Sequence, residues 1–240
     1  MSSASQARIS FTILLVVLAA VLLLLPFFVV GGTGHLWLRL LSIVAMLSAL
    51  WKLQPGRRVI GLAVTVVIVN VGVVGARLYS SAEGWVAIEH ATGAAFLLLV
   101  AGSITGNVWR EREVSADTIV GGIAVYLLIG AIFSIAFQLL ESLAPGSFAI
   151  TFNGPGHWGP WEASPGHFPR LLFFSFVTLT TLGYGDIVPA SPQAAGLSAV
   201  AAIVGPLYLT VLIARLVGLH VAGSRSGGNG PGAGDSPQPG

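Results

Sequence analysis

Six apolar stretches run along the chain, at 9–30, 35–53, 59–78, 85–108, 119–140 and 194–219. Each approaches the roughly 20 residues that an α-helix needs to cross the hydrocarbon core of a bilayer. Short polar or Gly/Pro pieces separate the first five, at 31–34, 54–58, 79–84 and 109–117. The first stretch is longer than the roughly 7–15 apolar residues of a secretory signal core, so it is expected to remain as a span. The connection between the fifth and sixth stretches, 141–193, is much longer and changes character twice. Residues 142–167 are rich in Gly, Pro, Trp and Ser, as a surface loop is. Residues 169–180 turn apolar again, but are too short to span. Pro169 suits a first helical turn, where its missing N–H costs nothing. A short apolar helix behind an outer loop reads as a re-entrant segment.

Composition places the same stretches in lipid. The chain is 55% hydrophobic and only 8% charged, with a mean hydropathy of +0.88. A soluble domain has about a quarter of its residues charged. The net charge of +2 gives no footprint for nucleic acid. The absence of cysteine excludes disulfides, thiol chemistry and cysteine zinc sites. No catalytic constellation or phosphate loop stands out, so no enzyme and no cofactor is expected.

Basic residues orient the spans. With the N-terminus inside, Arg8, Lys52, Arg57, Arg58, Arg110, Arg112, Arg215 and Arg225 fall at cytoplasmic ends, and Arg39, Arg77 and Arg170 at outer ends. Both termini are then cytoplasmic and 141–193 faces outward. Residues 223–240, mostly Gly, Pro, Ser and Asn, bury too little apolar surface to order and are expected to form a disordered tail.

The re-entrant segment runs into Thr181-Leu182-Gly183-Tyr184-Gly185-Asp186. Irregular backbone at membrane depth is tolerated only where it is buried in protein or lines a water-filled path. Gly183 and Gly185 adopt positive φ without steric cost. Alternation of left- and right-handed residues turns successive carbonyls the same way. Four such strands around one axis make rings of oxygens that replace the water shell of a cation.

The run Thr180–Asp186 behind a short apolar helix resembles the signature of the potassium-channel pore family, over about residues 115–221. The resemblance implies an all-α integral membrane protein. Four auxiliary transmembrane helices (1–114) would precede a pore module (115–222) and the tail (223–240). It implies a homotetramer that conducts K+ passively in the plasma, or cell inner, membrane. The carbonyls of Thr181, Leu182, Gly183 and Tyr184 would bind K+, with the Thr181 hydroxyl completing the innermost site and Gly185 ending the filter. Thr180 would sit where helix meets filter, and Asp186 at the outer mouth. Lipid and a gating ligand of unidentified chemistry are the other expected partners. Two rival readings stand beside this one: a non-selective cation channel, and a transporter or non-conducting subunit that reuses the pore fold.

Several positions depart from the family pattern. Leu182 replaces the usual Val. Phe173 and Phe174 stand where many relatives carry a Trp pair, and Val177 where some carry Glu. Phe has no N–H with which to hold the filter's Tyr and Asp. The filter is therefore expected to be less rigidly held, with Thr178 as a remaining partner for the Tyr184 hydroxyl. In the sixth stretch, Gly205-Pro206 reads either as an inner-helix hinge or as a close-packing glycine with a fixed proline bend. Arg215 either snorkels to the interface or faces the inner pore mouth. The fourth stretch carries only Glu89 and His90, near its outer end, so no voltage-sensing row of basic residues is expected. Asn70, midway along the third, should face other helices. His157 and His167 match no metal-ligand spacing, and Trp158 and Trp161 read as headgroup anchors.

Overall fold

The computed structural model describes residues 15–16, 18–20, 57–79, 84–110, 115–151 and 168–227. The stretch at 35–53, the two loop histidines and both loop tryptophans lie outside them. So does most of the stretch at 9–30, although residues 15, 16 and 18–20 are helical.

Among the residues described from 57 onward, five helices follow the apolar pattern: α1 (Arg57–Tyr79), α2 (Gly84–Arg110), α3 (Ala116–Leu143), α4 (Phe168–Leu179) and α5 (Pro192–Gly227). Among the described residues, three are long and apolar enough to cross a membrane, through Ile88–Gly106, Thr118–Leu143 and Pro192–Ala222. Shorter apolar pieces lie in α1 (Gly61–Val73) and α4 (Pro169–Leu179). At a rise of 1.5 Å per residue, the 28 residues of α3 cover about 42 Å and the 12 of α4 only about 18 Å.

Local chemistry sets the boundaries of α3. Ser115 caps its start, with its side-chain oxygen accepting from Thr118 N–H while the Thr118 hydroxyl accepts from Ser115 N–H. Pro145, just beyond the cap residue Ala144, does not continue a helix. Helix α5 instead runs past 223, where a disordered tail was expected, as far as Gly227. An existing helix extends without a new nucleation cost, so its last turn includes residues of tail-like composition. Residues 228–240 lie outside the described part.

The loop stretches also contain two short strands that the hydrophobic pattern did not announce. Strand β1 (Phe148–Ile150) pairs antiparallel with β2 (Ile187–Pro189), with Phe148 opposite Pro189, Ala149 opposite Val188 and Ile150 opposite Ile187.

Two apolar cores result. In the first, Ala63 and Val67 of α1 meet Phe96, Val100, Ala101 and Ile104 of α2, and these meet Ala124, Val125 and Leu128 of α3. Asn70 faces its neighbours as expected, donating to the Thr92 hydroxyl at 2.9 Å. The second core gathers Phe137 of α3, Phe148 of β1, Leu171 and Phe174 of α4, Ile187 of β2 and Ala194 and Ala201 of α5. It wedges the short helix α4 between α3 and α5. Gly130 of α3 makes that approach possible, because a Cβ there would lie 2.4 Å from the Phe176 ring. The Gly130 carbonyl accepts from the buried Ser175 hydroxyl at 2.6 Å.

Candidate functional site

The backbone between α4 and β2 is irregular and held at both ends. At its inner end the chain leaves α4 through Thr180, whose N–H still donates to Phe176 O at 2.9 Å. It then folds back on the helix. Leu182 N–H and Gly183 N–H both donate to the Val177 carbonyl, at 2.9 and 3.3 Å. Thr181 N–H donates to Thr178 O at 3.0 Å. Position 177 therefore anchors this segment through its main chain, a function that side-chain identity does not reveal.

At its outer end Asp186 Oδ1 accepts from Ile187 N–H at 3.0 Å, where β2 begins. The Asp186 carbonyl accepts from Thr151 N–H at 3.0 Å, and the Gly185 carbonyl accepts from the Thr151 hydroxyl.

Between the clamps, φ is positive at Thr181 (60°), Gly183 (61°) and Gly185 (78°), and at neither Leu182 nor Tyr184. This is the alternation expected of the two glycines, extended inward by one residue. For Thr the left-handed region costs roughly 1–2 kcal/mol, and such outliers persist only where surrounding contacts impose them. The Thr181 hydroxyl donates to the Thr180 carbonyl at 2.6 Å. Among the described residues, the carbonyls of Thr181, Leu182, Gly183 and Tyr184 accept no hydrogen bond within the chain. The segment is open, with Leu182 55% and Tyr184 67% exposed.

The supports behind it differ from the expectation in part. The Phe173 ring lies parallel to that of Tyr184, 4° between planes and 6.2 Å between centroids. That is an offset stack, with no hydrogen bond involved. Thr178 is not bonded to the Tyr184 hydroxyl within the chain. Phe174 points away into the second core, against Phe137 and Phe148.

The residues singled out on α5 are placed as follows. Gly205 is buried against the end of α4, where an added Cβ would fall 1.9 Å from the Leu179 carbonyl oxygen. Pro206 lies within the continuous helix, and its carbonyl accepts from the Thr210 hydroxyl at 2.7 Å. The Leu179 carbonyl also receives the Tyr126 hydroxyl at 3.5 Å. Tyr126 stacks on Tyr208, and Tyr208 donates to Gly122 O of α3 at 2.8 Å. Farther along α5, the Arg215 guanidinium carbon sits 5.2 Å from the centre of the Trp109 ring, at the end of α2.

Two clamps and an alternating backbone leave four successive main-chain oxygens unclaimed within the chain. Residues 123–220 match the family model described as ion channel. No curated protein and no solved structure matches the chain. With their apolar helices, residues 123–220 mark a membrane protein and match a family of potassium-channel-type pores, not of enzymes.

Proposed function

We propose that the chain is one subunit of a homotetrameric channel that conducts K+ passively through a filter formed by Thr181, Leu182, Gly183, Tyr184 and Gly185. The observation that carries this reading is the run of four successive carbonyls without a donor, fixed at both ends. These carbonyls are exposed in the single chain, and at membrane depth an unsatisfied carbonyl costs several kcal/mol, so they need a partner from outside the chain. Four copies around one axis would hand these oxygens to a dehydrated cation and supply its coordination shell. One filter per chain makes the fourfold ring the natural closure.

In this reading α3 is the outer helix, α4 the re-entrant pore helix and α5 the inner helix, with four auxiliary spans before them. The C-terminal carbonyls of α4 present the negative end of its dipole to a cation in the inner cavity. Ions move in file, bound tightly enough to shed water and loosely enough to leave. Asp186 raises the local cation concentration at the outer mouth. The termini face the cytoplasm and the protein lies in the plasma membrane.

Purified protein in liposomes tests the reading. Barium-sensitive K+ efflux is expected, with reversal potentials in mixed K+ and Na+ close to the K+ value. Leu182 favours one rival, because a side chain larger than the usual Val stands in the filter, 55% exposed in the single chain. A reversal potential near the midpoint between the two ions assigns a non-selective cation pore. Absence of any flux rejects the channel.

A further inference from the structure

We infer that Thr151 is a positioning residue for the outer end of the filter, held in place by a strut made of β1 and the last turn of α3. The inference rests on the channel reading and concerns how that filter is kept open.

The strut is built in steps from α3 outward. Glu141, buried in the last turn of α3, accepts Gly146 N–H on Oε1 at 2.9 Å and Phe148 N–H on Oε2 at 3.1 Å. Those two bonds tie the start of β1 to the helix. The Phe148 ring then packs edge-on against Phe137 and Phe174, each 5.4 Å away between centroids. Ser147 O accepts from Ala190 N–H at 2.7 Å, joining the far end of β2 to the same foot. The β1–β2 ladder ends with Ile150 opposite Ile187, and Thr151 extends it by one residue onto Asp186. That register brings the Thr151 hydroxyl to the Gly185 carbonyl.

The consequence is specific to one peptide unit. Gly185 has no side chain to pack, and the space that a Cβ would fill is open, with nothing within 4 Å. Its φ of 78° lies in a basin that glycine leaves as easily as it enters. Rotation of this plane would turn the outermost carbonyls and close the ion path. The Thr151 hydroxyl supplies the bond that opposes that rotation, from outside the pore. The support missing behind the filter, where Phe173 and Phe174 offer no N–H, is replaced here from the extracellular side.

The test uses the full-length protein in planar bilayers, as wild type, Thr151→Val and Thr151→Ser. Valine keeps the shape and removes the donor, and serine restores the donor. On replacing external K+ with Na+, T151V is expected to lose current about threefold to tenfold faster than wild type, the range expected for one lost hydrogen bond. T151S is expected to follow wild type. Raising external K+ is expected to bring T151V back to the wild-type time course, because an occupying ion holds the adjoining Tyr184 carbonyl from inside. A general folding defect would not be rescued by the permeant ion. If wild type conducts K+ and T151V decays with wild-type kinetics, the Thr151 inference fails and the channel reading stands. If wild type passes no K+, both fall.

Discussion

At the scale of single residues, backbone atoms carry more of this site than side chains. Val177 acts through its carbonyl, and Gly185 through its freedom to take a positive φ. Gly205 acts through the atom it lacks. An alanine at 205 would bring Cβ against the Leu179 carbonyl oxygen, and both atoms belong to helices that cannot yield locally. Gly205→Ala is therefore expected to push α5 away from α4 and lower stability by about 1–3 kcal/mol. Gly106→Ala, on α2 with nothing within 4 Å, is expected to raise stability by up to about 1 kcal/mol. Thermal unfolding of the two variants in detergent checks both signs, and equal midpoints would count against the close-packing role. The positions of Gly183 and Gly185 were legible in the sequence, since glycine announces a left-handed backbone. Thr181 was not, because threonine ordinarily avoids that region and enters it here under pressure from the flanking bonds.

At the scale of elements, the helices were legible and the strands were not. Long apolar runs declare helices α1 to α5, and the ends read from the sequence fall within a few residues of the observed ones, except at the C-terminal end of α5. Strands β1 and β2 have three residues each and pair residue 148 with residue 189. No local period reveals a ladder so short with a partner so distant. The same distance hid the use of Phe174, which supports β1, while Thr151, next to β1, holds the Gly185 carbonyl. Glu141 is the hinge of this arrangement, since each carboxylate oxygen serves one N–H. Glutamine keeps one oxygen and turns an NH2 toward the other N–H. Glu141→Gln is therefore expected to cost about 1–3 kcal/mol, the penalty of a buried donor left unsatisfied. The thermal midpoint in detergent reads it, and an unchanged midpoint would show that the carboxylate is not needed at the foot of β1.

At the scale of the whole molecule, α2, with α1 behind it, packs along α3 and meets α5 again toward its C-terminal end. The first contact is the apolar core shared by α1, α2 and α3; the second is Arg215 over Trp109. The Arg215 placement could not be read from the chain, because a lone arginine near a helix end does not name its partner. The cation–π contact joins α2 to α5, so movement of α2 would be felt there. Membrane voltage is a poor source of such movement. Moving one charge through 100 mV is worth only about 2.3 kcal/mol, so steep gating needs several charges on the moving element. Helices α1 and α2 carry Arg57, Arg58, Arg77 and Arg110 at their ends, with Glu89 and His90 near the start of α2. No basic row lies along either. Open probability in bilayers is therefore expected to change shallowly between about −100 and +100 mV, with an apparent gating charge of about one or less. A gating charge of three or more would require mobile basic residues on a helix other than α1 and α2, and would overturn the expectation of weak voltage dependence.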